Sequence, residues 1–379
     1  MYLYILIGIL IGLFAGLIPG LHSNTLISML YELGIPPEIL SLLIISLFAA
    51  YSITAFIPSI FFGIPDDSSV LSVLPGQRLV KEGRGSLALK TVLFSSSIAV
   101  LLSIALFPIS LEFFPIAYSL IKPFLPHILI LASILLIIRT KSPIKTLFIF
   151  ILAGTLGHIS FNLELTDPFL PLFTGMFAMA AIIAYKKSEI PKQIEEPLKP
   201  NFLKYTIIGV FGGMLADLLP GISSPSQVAA FISIFIPISS IGYLATISSV
   251  SLSEAIFSLS TSASIHKSRV GAMVWLDSFS PISDNLFPYL IFFLISFVIA
   301  ALVIYKFRNN IVKLGELNFS TTSKILAAYL FALVIIINGF WGLVIFALGT
   351  LLGYLTLRLD VERSILMGAI ILPTILLLL

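Results

Sequence analysis

Cysteine is absent from this chain of 379 residues, histidine occurs only four times, and charged residues make up only 10% of it. Without cysteine, disulfides, thiolate chemistry and cysteine-based metal sites are excluded. The histidines show no HExxH or similar spacing, so we predict no metal, no cofactor and no catalytic residues. No nucleophile stands beside a base and no carboxylates pair on one helix face, which argues against an enzyme.

The scarcity of charge accompanies a strongly apolar composition, with 58% hydrophobic residues and a mean hydropathy of +1.12. Soluble domains carry roughly 25% charged residues, so lipid must be the solvent of this chain. We predict an all-α polytopic protein of the cell membrane with about ten to twelve transmembrane helices, at ~20 residues per crossing. Nucleic acid is not an expected partner. The N-terminal stretch has no basic region before its apolar run, which predicts a retained first span rather than a signal peptide.

The clearest predicted spans are 2–20, 38–62, 87–109, 126–139, 143–160, 168–185, 204–220, 240–260, 288–305, 323–338, 339–357 and 364–379. Shorter apolar pieces are predicted to be half-helices or re-entrant elements, at 22–33, 112–122, 223–236 and 270–282.

An internal repeat runs through the sequence. Residues 8–24 read GILIGLFAGLIPGLHSN, and residues 209–225 read GVFGGMLADLLPGISSP, at a constant offset of 201 residues (221 − 20). Each copy is an apolar helix that breaks at Pro-Gly and continues into small hydroxylated residues. Freed backbone groups in a membrane must find partners, so such breaks survive only inside protein or beside a cavity. Paired breaks in corresponding halves point to the binding site of a transporter.

A polar stretch rich in lysine and proline separates the two copies. It predicts a first membrane repeat at 1–185, a cytoplasmic linker at 186–203 and a second membrane repeat at 204–379. The positive-inside rule places the basic clusters in the cytoplasm: 78–90, 139–145, 186–204, 266–269, 306–324 and 358–363. This distribution of basic clusters along the predicted spans places the N-terminus in the cytoplasm and gives the two repeats the same orientation. If the Pro-Gly segments are re-entrant hairpins, one crossing disappears and the repeats become inverted.

The Pro-Gly segments supply the first candidate site residues. A new helix is expected to begin after each break, with Ser, Asn or Thr as its N-cap. A helix N-terminus offers free N–H groups and a positive dipole end, which suit an anion; two ordinary proline kinks with polar caps are the alternative. The predicted substrate-binding residues here are Pro19, Gly20, His22, Ser23, Asn24, Thr25, Pro220, Gly221, Ser223, Ser224 and Ser226.

Ionisable side chains within apolar segments supply the next candidates. Asp217 lies three residues before Pro220, where the first copy has Gly16. Intramembrane carboxylates are costly, so we predict Asp217 as a proton or cation site, with His22 as a second ion-coupling candidate. A carboxylate near the helix end that reaches water or pairs with a Lys or Arg is the alternative for Asp217.

A polar stripe and two basic runs complete the candidate site. Glu254, Ser258 and Thr261 lie at helical spacing and are predicted to face a cavity or another helix. Packing through small residues is the alternative for most serines nearby. Asp66, Asp67 and Ser68 lie in a Pro- and Ser-rich segment that is predicted to line the site, and a solvated cytoplasmic loop is the alternative. The last candidates are cations that could bind a carboxylate or phosphate, or could instead mark the cytoplasmic side: Arg84, Lys267 and Arg269.

Taken in order, these motifs resemble the TctA family, the large permease subunit of tripartite tricarboxylate transporters, in a short archaeal-type form. The resemblance covers nearly the whole chain and rests on Pro19-Gly20, Pro220-Gly221, Gly63-Ile-Pro65-Asp66-Asp67-Ser68-Ser69, the run from Gly76 to Leu89, and the run from Ser253 to Ala272.

The resemblance implies a secondary permease for a small organic anion, typically a di- or tricarboxylate, driven by a Na⁺ or H⁺ gradient. It also implies two partners, a small membrane subunit and an extracytoplasmic binding protein. The duplicated Pro-Gly-x-Ser text is similar to the PopT family as well, which makes a polyprenyl-phosphate translocase the alternative function. In either case the anion would sit on half-helix N-termini near Ser23 and Ser224, and the halves would rock in alternating access.

Overall fold

Helices account for the regular structure of the chain wherever it is described, and no strand occurs in those residues. The structure is a computed structural model that describes residues 2–18, 21–62, 73–184, 191–219, 225, 228–229, 232, 239–317 and 319–379. Six of the described helices are long and apolar enough to cross a membrane. The prediction of an all-α polytopic membrane protein is therefore confirmed.

The helices of the first half are α1 (Tyr2–Leu17), α2 (Ser23–Glu32), α3 (Pro37–Thr54), α4 (Phe56–Phe61), α5 (Val73–Lys81), α6 (Gly85–Ile121), α7 (Leu125–Ile138), α8 (Pro143–Asn162), α9 (Phe169–Phe173) and α10 (Ala180–Ala184). A 3₁₀ turn at Lys122–Phe124 follows α6, and a π-helical stretch at Thr174–Met179 joins α9 to α10.

Those of the second half are α11 (Phe202–Ala216), α12 (Ser240–Ile265), α13 (Gly271–Phe279), α14 (Ile282–Val312), α15 (Phe319–Arg358) and α16 (Gly368–Leu378). Two 3₁₀ turns lie at Lys313–Glu316 and Arg363–Met367.

Several predicted boundaries can be compared with these helices. The short pieces 22–33 and 270–282 correspond to α2 and α13, as predicted. The separate piece 112–122 is wrong, because α6 continues through Pro108 and Pro115 without a break. The predicted boundary between 338 and 339 falls within α15, where Gly339 has φ 59° and ψ −150° and kinks the helix. Glycine tolerates these dihedrals because it has no Cβ.

Helices α1 and α3 run parallel, in close contact. A Cβ on Gly8 would lie 2.7 Å from the Leu43 carbonyl oxygen, a Cβ on Gly12 would overlap the Leu47 carbonyl oxygen, and Gly16 faces Thr54. Because α1 and α3 run in the same direction, the chain must turn back after α1, and α2 leads it to the start of α3. Helices α1 and α2 therefore form a re-entrant hairpin that turns back beside Thr54, whereas the chain beyond α3 continues through α4 to Phe61.

The same packing recurs between α11 and α12. A Cβ on Gly209 would lie 2.7 Å from the Thr246 carbonyl oxygen, and one on Gly213 would lie 2.8 Å from that of Val250. These pairs repeat the contacts of Gly8 and Gly12 at an offset of 201 residues on the first helix (209 − 8). The offset on the second helix is 203 (246 − 43). The repeat seen in the sequence is therefore also a repeat of contacts.

A long helix of each half packs against the helices of the other half. Helix α6 of the first half packs on α11 and α12, and α14 of the second half packs on α1 and α3. A second set of helices shows the same exchange. Gly157 of α8 abuts Ala369 of α16, and Gly353 of α15 abuts Met176 of the π-helical stretch. The division of the chain at 185 and 204 stays a prediction, but neither half buries its helices alone.

Contacts along these helices determine the relative orientation of the copies. Ser95 of α6 meets Thr206 of α11 and Ser249 of α12, and Ser110 meets Ser260, so α6 runs parallel to α12. In the same way, α14 runs parallel to α3. Phe293 of α14 contacts Phe48 of α3, and Gly315, just after α14, lies beside Phe61 at the end of α4.

Helices α6 and α14 run in opposite directions. Gln193 of the linker accepts from the backbone N–H of Gly85, which begins α6, and its own backbone N–H donates to Glu316, just beyond α14. The start of one helix thus lies beside the end of the other. It follows that α12 is antiparallel to α3 and that the repeats are inverted. The prediction of equal orientation is wrong because the Pro-Gly segment turns back instead of crossing.

Candidate functional site

The first hairpin turns into a helix whose start is built from predicted residues. Helix α2 begins at Ser23, which is buried, and its N-cap is His22. The Nδ1 atom of His22 accepts a hydrogen bond from the backbone N–H of Asn24 at 3.1 Å, and its ring meets Tyr51 of α3 edge-on. His22 therefore caps the helix through its side chain. Pro19 and Gly20 lie outside the described residues.

A second helix start is formed where α12 ends. His266 follows Ile265 with φ 52°, a left-handed cap that reverses the chain. The reversed segment folds back on α12, where Ser258 Oγ accepts hydrogen bonds from the backbone N–H groups of Arg269 and Val270, each at 3.3 Å. Helix α13 then begins at Gly271. Ser258 thus fixes the loop that carries Arg269.

The two helix starts meet. The side-chain amide of Asn24 lies so close to Gly271 that a Cβ on Gly271 would overlap it. Further along, Tyr31 of α2 contacts Trp275 and Phe279 of α13, so the two short helices run parallel. Their N-termini therefore lie side by side, one from each half. Adjacent helix N-termini combine free N–H groups with two positive dipole ends.

Asp217 lies at the end of α11, beside the Arg269 loop. Its side chain is fully buried, and neither carboxylate oxygen has a hydrogen-bond partner. The Nε atom of Arg269 donates to the backbone carbonyl oxygen of Asp217 at 3.3 Å. The Nη2 amino group of Arg269 is buried and has no hydrogen-bond partner. A guanidinium with one buried amino group to spare is a strong donor for an incoming carboxylate.

Glu254 adds a second acid to this site. It lies on α12 one turn before Ser258, is only 4% exposed, and is close enough to Asp217 for their charges to interact. Two carboxyl groups and one guanidinium are thus held in an interior formed by membrane helices. Unpaired buried charge is costly, and ionisable groups inside a membrane protein are functional candidates by default.

Other predicted residues lie at the edge of this site or away from it. Thr25 is buried and donates a hydrogen bond to Asp167. Thr261 donates to backbone carbonyls of its own helix, at Phe257 and Ser258, and Lys267 is exposed.

Arg84 is not part of the site. Its guanidinium pairs with Glu196 of the linker at 3.0 Å and with Glu82 at 3.5 Å. The hydrogen bonds to Glu196 raise the pKa of Arg84 above its ordinary value. Arg84 thus ties the linker to the start of α6, and the structure gives no support to Arg84 as a partner for the substrate. The remaining candidates lie outside the described residues: Asp66, Asp67, Ser68, Pro220, Gly221, Ser223, Ser224 and Ser226.

Asp167 is a residue that the sequence did not single out. One carboxylate oxygen accepts from Thr25, and the other accepts from the backbone N–H groups of Phe169 and Leu170, which start α9. Its own N–H donates to Asn338 at the kink of α15. Asp167 therefore joins the first hairpin to the helices around α9 and α15. The Asp-Pro-Phe sequence before an apolar helix is the N-cap signal that could have revealed it.

Broken helices from two inverted copies that converge on buried charges define a class, the membrane transporters of the inverted-repeat type. The chain belongs to the tripartite tricarboxylate transporter TctA family, whose model matches residues 2–368, and the predicted family is confirmed. Uncharacterized protein MJ1079 of Methanocaldococcus jannaschii is 29% identical over 402 aligned positions, which cover 99% of this chain and 98% of that protein. No solved structure matches the chain.

Membership of this family has two direct consequences. The chain is a multi-pass membrane protein of a transporter family. Because the transporters are tripartite, the family also implies further subunits and a binding protein beside the permease.

Proposed function

We propose that this protein is a secondary permease of the plasma membrane that carries a small organic anion with at least one carboxylate. One observation carries the proposal: the Nη2 group of Arg269 is buried without a hydrogen-bond partner, and Arg269 lies two residues before Gly271, where the N-termini of α2 and α13 meet. Both the guanidinium and the helix ends attract negative charge, and the apolar interior strengthens that attraction.

The two acids of the site supply the coupling. Asp217 and Glu254 lie close to the anion donors, so a proton or Na⁺ on the carboxyl groups compensates their negative charge while the substrate carboxylate engages Arg269. Substrate and ion then occupy the site together, which couples the substrate to the ion gradient. The inverted copies supply two related arrangements of the helices, and exchange between such arrangements is the basis of alternating access.

Partners complete the proposed uptake system. An extracytoplasmic binding protein would deliver the anion, and a small membrane subunit would accompany the permease, as the family implies. Arg269, Asp217 and the two helix N-termini all belong to the permease chain itself, so the isolated permease is expected to bind the anion without either partner.

The test is substrate counterflow in proteoliposomes with purified permease, wild type against Arg269→Gln. Loss of a charged hydrogen bond of about 1.5–3 kcal/mol predicts at least about a tenfold fall in apparent affinity. Arg308→Gln is the matched control, because Arg308 lies near the end of α14, where its guanidinium stacks on Tyr305. Equal affinity for all three proteins would contradict the proposal. Stabilisation by polyprenyl phosphate alone would favour the lipid-carrier alternative.

A further inference from the structure

A groove runs along the outer surface of the protein between α6 and α14. Its floor consists of buried apolar side chains, Leu93 and Val100 from α6 and Phe297 from α14. Its walls are apolar side chains that are exposed on the surface of the two helices, among them Leu101 and Leu302. The groove encloses about 390 Å³. Apolar surface of this kind on membrane helices faces lipid, so the groove opens to the hydrocarbon of the bilayer.

The length of the groove matches one leaflet of a membrane. On α14 its lining runs from Leu294 to Tyr305, and a rise of 11 residues (305 − 294) along an α-helix is about 16 Å. The hydrocarbon core of a bilayer is about 30 Å thick, so one leaflet contributes about 15 Å. At one end Phe94 of α6 meets Tyr305 edge-on, with ring centroids 6.5 Å apart. The groove therefore suits one lipid chain that starts at an aromatic pair of the kind found at membrane interfaces.

Cations follow the groove at this aromatic end only. One turn before Phe94, α6 has Lys90, and three residues after Tyr305, α14 has Arg308, so both cations continue the helix faces that line the groove. Neither helix has a cation at the other end, because α6 has no Lys or Arg after Lys90 and α14 has none before Tyr305. An apolar groove with cations at one end has the polarity that an anionic lipid requires.

The two cations differ in how far their charge is compensated. Lys90 pairs with Glu195 at 2.9 Å and donates to the carbonyl oxygen of Glu196, which places this end of the groove beside the linker. Arg308 is close enough to Glu195 for their charges to interact, but it forms no ion pair with a described carboxylate. Its guanidinium stacks on the ring of Tyr305 and donates to the Tyr305 carbonyl oxygen at 3.0 Å. Arg308 is therefore held at the mouth of the groove, where a phosphate is a strong partner for a guanidinium.

We propose that this groove binds an anionic phospholipid, with one chain between α6 and α14 and the phosphate on Arg308. The leaflet is the one on the linker side, which the basic clusters predict to be cytoplasmic. The length and apolar lining of the groove select the chain, and the cation selects the headgroup. The lipid joins two helices that come from different halves of the protein. It is separate from the proposed substrate site, because Arg269 lies at the end of α11 opposite the linker.

The experiment measures lipid binding to the purified permease. Delipidated protein in detergent is titrated with phosphatidylglycerol or with phosphatidylcholine of identical chains, and bound lipid is counted by native mass spectrometry. The anionic lipid is expected to bind at least about tenfold more tightly than the zwitterionic one, and to raise the melting temperature of the permease. Equal binding of the two lipids, or binding of neither, would overturn the proposal.

A groove-filling variant tests the place of the chain. Ala301→Trp puts an indole ring into the groove, so binding of phosphatidylglycerol is expected to fall at least about tenfold. Ile295→Trp is the matched control, because Ile295 is exposed on α14 outside the groove lining. Equal lipid binding by the two variants would overturn the proposal and leave the groove to another occupant, such as a transmembrane helix of the small subunit. If Ala301→Trp does not fold, Ser97→Trp fills the groove from α6.

A charge variant tests the place of the headgroup. Arg308→Gln removes the guanidinium at the mouth of the groove, so the tenfold preference for phosphatidylglycerol over phosphatidylcholine is expected to disappear while both lipids still bind. Lys306→Gln is the control, because Lys306 is an exposed cation of the same helix end that does not line the groove. A preference that survives in Arg308→Gln, or that is lost equally in Lys306→Gln, would overturn the assignment of the phosphate to Arg308.

Discussion

The pair of helices α1 and α3 and the pair α11 and α12 have the same contacts but different chemistry. Gly8 and Gly12 pack on α3 as Gly209 and Gly213 pack on α12. Under the same offsets, however, Gly16 corresponds to Asp217 (217 − 16 = 201), Tyr51 to Glu254 and Ala55 to Ser258 (254 − 51 and 258 − 55, both 203). The helix packing is therefore duplicated, whereas the buried carboxyl groups of Asp217 and Glu254 lie in one copy. Under the proposed function, the anion is therefore recognised by one of two similarly packed copies.

The largest expected effect is a loss of folded protein, and it tests the glycine contacts that the two helix pairs share. Gly12→Val and Gly213→Val place branched side chains against backbone carbonyl groups of α3 and α12, which cannot move without shifting a helix. Overpacking costs about 1–3 kcal/mol or more, so both variants are expected to lose most of their folded protein. Size-exclusion chromatography and melting temperature measure the loss.

The control for these variants is Phe211→Val, two residues from Gly213 on the exposed face of α11. It is expected to behave as wild type. If one glycine variant folds normally while the other does not, the two copies do not carry equal structural roles.

The second effect tests the copy that carries charge. Glu254→Gln retains the shape of the side chain but cannot exchange a proton, so gradient-driven accumulation should fall at least about tenfold while counterflow persists. Glu32→Gln, an exposed residue of α2 in the other copy, is the control. Undiminished accumulation in proteoliposomes with an imposed gradient would show that Glu254 has no part in coupling.

A smaller effect is expected where Ser258 replaces Ala55. Ser258→Ala leaves the backbone N–H groups of Arg269 and Val270 without their acceptor, at a cost of about 1–3 kcal/mol. The loop loosens around Arg269, so anion affinity should fall more than the melting temperature alone suggests. Ser264→Ala removes a hydroxyl that bonds only within its own helix and provides the comparison. Equal affinities in the two variants would show that the loop needs no anchor.

The smallest effect concerns the link between the first hairpin and α9. Thr25→Val removes the hydrogen bond to Asp167 at similar volume and is expected to cost about 1 kcal/mol. Asp167→Ala removes that bond and the cap of α9 together, which adds about 1 kcal/mol. Chemical unfolding in mixed micelles compares the two variants. Identical losses would show that the bond between hairpin and helix, and not the cap, stabilises this region.

Local features of the structure were predictable from the sequence, because local chemistry determines them. The start of a helix at Ser23 and the candidacy of Asp217 and Arg269 follow from residue types at short spacing. Glu254 was identified because a carboxylate inside an apolar helix is exceptional.

Long-range features were not predictable in this way. The orientation of the copies was assigned from basic clusters that included Lys267 and Arg269, although Arg269 lies beside Asp217, at the end of α11 opposite the linker. Arg84 was selected for its place in a motif, but its partner Glu196 lies 112 residues away in the linker. Such pairings depend on the exchange of helices between the copies, which no local pattern encodes.

The packing of helices from one half on the other has a consequence for co-translational folding. Helix α3 buries one face against α14, which is synthesised more than 200 residues later, and loop closure over such distances is slow. During translation the first hairpin must therefore wait in the bilayer, with its broken backbone and its close-packing glycines only partly covered. The first half can therefore complete its helix packing only after the second half has been synthesised and inserted.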